Sequence, residues 1–299
     1  MDATEVLHEL PITEWHGPFA VGLRQDALQA LEAGRVLVLP RLPFPIAADE
    51  TGFLGAEAAG SERKNISLDP ATGRLANTTL PQTDAARLAA MLDRFGRSAE
   101  RLLRDLLPRY APGLERARTS FRPVEIDRRA TSARHDDRLL HVDAFPTRPL
   151  QGRRILRLFS NVAPDGAERA WRVGEPFPEF AGRFLPCTRS TLPGADWLSA
   201  ALLNRLGLTK GKRSAYDQIM LRLHDAGKMD AVYQASGPRA AVAFAPGTTW
   251  LCFTDQVLHA AIAGHCALEQ TFHLPVDAMA DPARSPLRVL EQLAGRRLA

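Results

Sequence analysis

Cysteine, lysine and tyrosine are scarce in this 299-residue chain, and long apolar runs are missing altogether. The three cysteines, Cys187, Cys252 and Cys266, stand far apart and form no CxxC pair. That excludes a zinc knuckle and a disulfide framework, which need thiols at close or regular spacing. No stretch reaches the roughly 18 uninterrupted apolar residues of a membrane span. The opening segment, MDATEVLHELPITEW, is acidic and lacks the basic start and apolar centre of a secretory leader. A cytoplasmic protein is therefore expected. Only Lys64, Lys210, Lys212 and Lys228 are lysines; the rest of the 38 basic residues are arginine. They are scattered and not interleaved with aromatics, so the net charge of +4 does not outline a nucleic-acid surface. Internal repeats and low-complexity tracts are also missing. What remains, 45% hydrophobic and 24% charged residues, is the composition of a globular protein with material for a large core.

The segment RQDALQALEAG predicts a helix stopped by Gly34, followed by a short strand over residues 36–39 that Pro40 ends. Residues 83–107 place Leu88, Met91, Leu92, Phe95, Leu102, Leu103 and Leu106 at three- and four-residue spacing. This predicts an amphipathic helix, broken or bent at Gly96, with Arg94, Arg97, Arg101 and Arg104 outside. Beyond Ser120 come short apolar or alternating runs: FRPVEI, RLLHVDAF, RRILRLFSNV, IMLRLHD, AAVAFAP, TTWLCFTD, VLHAA and ALEQTFHL. Pro, Gly, Asn and Asp separate them, as in an antiparallel barrel or sandwich of the jelly-roll, cupin-like kind. Residues 170–213 interrupt the pattern and read as a lid-like insertion with a short helix over 196–207. A last helix is expected over 286–298. No flexible linker is visible. The expectation is one α+β domain over residues 1–299, with a mainly β core over about 120–275.

The chemistry concentrates in His141-Val142-Asp143 and a distant histidine, His259. On a strand, residues two apart share a face. Two imidazoles and one carboxylate, with open positions opposite, are what a non-haem Fe(II) oxygenase needs. Asp143 lies in the apolar context LLHVDAF, where a bare carboxylate is costly unless paired or metal-bound. Ala260 and Ala261 leave room beside His259. Any one of the other histidines, taken singly, is more often a hydrogen-bonded structural residue than a ligand. If the cosubstrate is 2-oxoglutarate, its far carboxylate also needs a cation, ideally a guanidinium. The strand after His259, ALEQTFHL, has neither Arg nor Lys. The strand after the HxD triplet supplies Arg153, Arg154 and Arg157. Arg157, between Leu156 and Leu158, is the first candidate and Arg154 the second.

Longer blocks carry a resemblance. TSARHDDRLLHVDAFPTRP, RRILRLFSNVAP, KNISLDPATG, and APGTTWLCFTDQVLHAA with LEQTFHLP resemble the Kdo hydroxylase family over about residues 34–275. The resemblance implies a double-stranded β-helix barrel with packed helices, and His141, Asp143 and His259 as iron ligands. It implies Fe(II), 2-oxoglutarate and O2 as cofactor and cosubstrates, with succinate and CO2 as coproducts. It further implies hydroxylation at C3 of 3-deoxy-D-manno-oct-2-ulosonic acid (Kdo) in the lipopolysaccharide inner core on lipid A, giving Ko. Such a substrate is anionic and lipid-anchored. Lys64, Asn65, Ser67, Arg134, Arg148 and Lys228 are candidates for binding it, and Asn161 and Gln270 for the cosubstrate. The anchor implies work at the cytoplasmic face of the inner membrane, with the arginine face of the 83–107 helix as a candidate contact. Three alternatives stay open: an oxygenase of another carbohydrate or small molecule, a cupin-like non-oxidative metal enzyme, and a binding module in which HxD is incidental.

Overall fold

Gly34 takes a φ of +83°, which ends a helix and turns the chain into VLVL, a strand buried at all four positions. This helix–strand start belongs to a computed structural model that describes residues 1–59, 65–126, 132–188 and 211–299. The chain opens with α1 (Ala3–Val6), β1 (Leu7–Glu9), α2 (Val21–Glu32) and β2 (Val36–Leu39). Next come β3 (Ile66–Leu68), β4 (Leu75–Ala76) and the long α3 (Gln82–Leu106). Then follow β5 (Glu115–Arg122), β6 (Arg154–Asn161), β7 (Arg169–Gly174), α4 (Phe177–Phe184), α5 (Ala215–Met229) and α6 (Ala231–Ser236). The chain closes with β8 (Arg239–Phe244), β9 (Thr249–Phe253), β10 (His259–Ala263), β11 (Ala267–Leu274) and α7 (Pro286–Ala294).

The strands form two sheets, one of eight in the order β1-β2-β9-β6-β11-β5-β3-β4, the other of three in the order β10-β7-β8. Every pairing is antiparallel except β1 with β2. Period-two alternation gives the large sheet two different faces. Leu156, Leu158, Leu251, Phe253, Leu268 and Phe272 point outward and pack against α2 and α3. Phe159 and Trp250 point the other way and meet Trp171, Val173, Val242 and Phe244 of the small sheet. Among the described residues neither sheet closes on itself, so the expected barrel appears as two sheets packed face to face.

Several local expectations change. IMLRLHD lies in helix α5, because Tyr216, Ile219, Met220 and Leu223 share a helical face and Ser214 with Asp217 forms a capping box. RLLHVDAF is no strand; among the described residues one bridge, His141 to His259, is its only ladder contact. Residues 169–174 are strand β7, so the insertion begins after Gly174, and the helix expected over 196–207 lies outside the described residues. Helix α3 runs unbroken through Gly96, where a Cβ would collide with the Arg116 guanidinium and the Gln270 amide. Glycine there serves close approach rather than a bend. Helix α7 ends at Ala294, because Gly295 is left-handed, φ +65°.

Candidate metal centre

Backbone pairing brings the distant candidate ligands together. The His141 N–H donates to His259 O at 3.1 Å, and the His259 N–H returns to His141 O at 2.9 Å. Two residues on, the Asp143 N–H donates to Thr254 O at 2.8 Å. The imidazole centroids are 4.7 Å apart. One ligand atom from each of His141, Asp143 and His259 lies within 4.8 Å of the others. The two Nδ1 atoms face backbone carbonyls, His141 to Leu139 O at 2.7 Å and His259 to Val257 O at 2.9 Å. Each must donate there, which leaves the Nε2 lone pairs for a metal. Trp171 stacks on His259 at 5.3 Å and 24°, fixing that ring.

Electrostatics suits a cation. Burial holds His141 well below the ordinary histidine pKa, and the charges of His259 and Lys228 add to the effect. Burial likewise lowers His259. Both rings are therefore neutral, as ligands must be. Burial alone would raise Asp143; the neighbouring Arg157 guanidinium overrules it and keeps the carboxylate ionised. Asp143 Oδ2 lies 3.0 Å from Arg157 Nη1, yet off hydrogen-bond geometry, and has no hydrogen-bond partner. A buried carboxylate oxygen with spare lone pairs beside two neutral imidazoles fits a divalent metal.

Behind the triad runs a chain of alternating charge. Arg157 Nε stands 3.6 Å from Glu269 Oε1, Arg122 donates to Glu269 Oε2 at 2.6 and 2.9 Å, and Arg122 reaches Asp137 at 3.5 Å. Arg157, Arg122 and Glu269 also line a cavity of about 470 Å³. Its floor is the inner face of β5, β6 and β11, with Arg118, Ser120, Thr271 and His273. Phe145, Thr147 and Arg148, from the loop after Asp143, and Asn65 form the sides.

Of the residues proposed from sequence, Arg157, Asn65 and Arg148 meet at this cavity, and Ser67 adjoins it, accepting from Arg118 at 3.0 Å. Arg154 does not join them. It faces the outer side of the sheet, where Asp255 at 2.7 Å, Gln256 at 2.7 Å and the Phe253 ring enclose it completely. Gln270 is also on the outer face, accepting from Thr119 at 2.6 Å. Asn161 ties loops together through Ala167 O and Phe244 O. These three serve the scaffold. Arg134 is exposed and pairs with Asp225 at 3.3 Å. Lys228 is buried and donates to Arg134 O at 3.1 Å. Lys64 lies outside the described residues. Arg118, Arg122, Glu269 and His273 were missed, although their inward parity on β5 and β11 was available as a signal, and Phe145 of the loop after Asp143 was missed without one. On α3, Arg87, Arg94, Arg97 and Arg104 all have acidic partners, which reduces that face as a lipid contact. No described helix is long and apolar enough to cross a membrane.

A mixed α+β fold around a large sheet, with two histidines and an aspartate at one end, defines the mononuclear non-haem metal-dependent oxygenase class. Residues 15–297 match the family described as 3-deoxy-D-manno-oct-2-ulosonic acid (Kdo) hydroxylase, and the chain belongs to that family. It is similar to the crystal structure of the Kdo hydroxylase KdoO, a non-haem Fe(II) α-ketoglutarate-dependent dioxygenase, with α-ketoglutarate and Fe(III). The identity is 44%, the TM-score 0.93, and the match covers 98% of this chain and 97% of that one. The same values hold for the cobalt(II) complex. A succinate and Fe(III) complex matches at 43% identity and TM-score 0.92, over 98% and 97% of the chains. None of the curated proteins matches the chain.

Proposed function

We propose that this protein is an Fe(II)/2-oxoglutarate/O2-dependent hydroxylase that converts Kdo to Ko, by hydroxylation at C3, on the Kdo-bearing lipid A precursor of lipopolysaccharide. The observation that carries this reading is the His141, Asp143, His259 triad, with both Nε2 atoms free and a cationic cavity beside it. Iron with 2-oxoglutarate would supply the O2 activation, with succinate and CO2 as coproducts. His141, Asp143 and His259 would hold the metal. Arg157 is the anchor for the cosubstrate's far carboxylate: its guanidinium lines the cavity and its buried Nε has no hydrogen-bond partner. Asn65, Ser67 and Arg148 face the sugar acid. The two facing sheets correspond to a double-stranded β-helix, with β5, β11, β6 and β9 central to one layer and the His141 segment, β10, β7 and β8 in the other. The chain works as one domain, in the cytoplasm against the inner membrane where its lipid-anchored substrate lies.

The test is incubation of the protein with Fe(II), 2-oxoglutarate, O2 and Kdo2-lipid A, followed by mass spectrometry. A gain of one oxygen on Kdo, matched by succinate, is expected. Turnover of another carbohydrate with none on Kdo would limit the reading to the oxygenase class, and no succinate under any condition would remove that too.

A further inference from the structure

The cavity holds more positive charge than the metal centre and its ion chain use. Arg122 is committed to Glu269 and Asp137, and Arg157, lying between Asp143 and Glu269 with its Nε unpartnered, is taken by the cosubstrate in the reading above. Arg118 donates to Ser67 and reaches Asp69 only at 3.6 Å, with its side chain 45% exposed. Arg148 is different. It is half-buried on the cavity wall, in the loop that follows the iron ligand Asp143, and pairs with no carboxylate among the described residues. A half-buried guanidinium without a counter-ion is a place for an anion.

Two other groups in the same cavity each have a buried atom without a partner among the described residues. His273 is 4% exposed, lines the cavity and stands within the electrostatic reach of Arg148; its Nδ1 has no hydrogen-bond partner. Burial lowers its pKa to about 4, so it is a neutral ring with one donor and one acceptor. On the side wall, the buried Asn65 Oδ1 has no hydrogen-bond donor. Buried polar atoms are normally satisfied, so each exception calls for a ligand or water. A cation lacking an anion and an amide oxygen lacking a donor together describe a ligand with a carboxylate and hydroxyl groups.

We propose that Arg148 is the specificity-determining residue of the cavity, receiving the carboxylate of a sugar acid, with His273 beside it and Asn65 Oδ1 accepting from one of the sugar's hydroxyls. This rests on the sugar-acid hydroxylase reading above. The competing carboxylate is the far end of 2-oxoglutarate, which the proposal gives to Arg157.

The experiment compares wild type, Arg148→Ala and Arg148→Lys, each loaded with Fe(II) and 2-oxoglutarate and kept anaerobic so that binding is read without turnover. The ligands are the methyl glycoside of Kdo and the same glycoside with its carboxyl masked as a methyl ester. Wild type should bind the acid about ten- to a hundredfold tighter than the ester, the range of a charge-assisted contact. Arg148→Ala should bind both as wild type binds the ester, and Arg148→Lys should keep part of the preference. Iron content and the KM for 2-oxoglutarate, measured in turnover, should stay within about twofold of wild type. An acid preference that survives in Arg148→Ala overturns the proposal. So does a tenfold rise in the KM for 2-oxoglutarate with sugar binding unchanged. A wild-type enzyme that neither binds nor hydroxylates any Kdo compound would instead remove the functional reading beneath it.

Discussion

Replacing Glu269 by Gln probes the ion chain behind the metal site without touching a ligand. In the native protein three carboxylates, Asp137, Glu269 and Asp143, alternate with two guanidiniums, Arg122 and Arg157. Glu269 is 3% exposed and shared by both arginines. At an effective dielectric of about 20, unit charges 2.6 Å apart attract by roughly 6 kcal/mol, and desolvation offsets much of this. Removing one partner of a buried pair costs about 3–5 kcal/mol, because the other charge is left uncompensated. Gln keeps one acceptor, so about 3 kcal/mol is expected, read by urea unfolding of the metal-free protein. Arg157, released from Glu269, should lean harder on Asp143 and compete with the metal, weakening Fe(II) binding by about tenfold or more. The pH dependence has a definite sign. Burial would raise the Glu269 carboxyl, but Arg122 and Arg157 outweigh it and hold the folded-state pKa below the ordinary value. Its stabilisation is therefore full above the unfolded pKa and lost as pH falls through the folded one. The gap between wild type and variant should close on that acid side. A loss under 0.5 kcal/mol at neutral pH, with metal affinity unchanged, would refute the chain as a support for Asp143.

Three further outcomes are expected. His141→Ala and Asp143→Ala should each abolish stoichiometric iron binding, measured by metal analysis, and lower turnover by at least about a thousandfold while the fold survives; retained iron would show the triad to be incidental. His273→Asn should flatten the acid side of the stability profile: a neutral His273 with a pKa of about 4, against about 6.5 unfolded, gives stability that is full above 6.5 and falls by about 3 kcal/mol as pH drops to 4. Melting temperatures of wild type and variant that track each other between those pH values would contradict this. Gly96→Ala should destabilise by about 1–2 kcal/mol, since the collision with Arg116 and Gln270 outweighs the gain of about 1 kcal/mol in helix propensity; a stabilised variant would show that these side chains move aside freely.

The clustering of His141, Asp143 and His259 was legible because a motif two residues apart and a lone histidine in small-residue context are written locally. The large helix was legible from periodicity, and β11 from its apolar run. Other features lay in tertiary context. The strand expected around the HxD motif shrinks to one bridge, because His141 needs only the edge of β10 to fix its position. IMLRLHD is a short apolar run that fits helix or strand, and its cap at Ser214 lies five residues before the run begins at Ile219. Arg154 and Arg157 both looked like buried arginines in one strand. Only parity against a known floor tells which faces the cavity, and that floor requires β5 and β11.

Arg154 carries a consequence for Arg157. The two are three residues apart on β6, hence on opposite faces of the sheet. A slip of β6 by a single residue would turn Arg157 into the apolar layer beneath the helices and push a leucine into the cavity. The Arg154 guanidinium, clipped to Asp255 and Gln256 just past the end of β9 and lying on Phe253, fixes that alignment. A side chain that never sees the ligand thus acts as a registration pin for one that does. Damage to the pin would be felt in the cavity as misalignment, from the far side of the sheet.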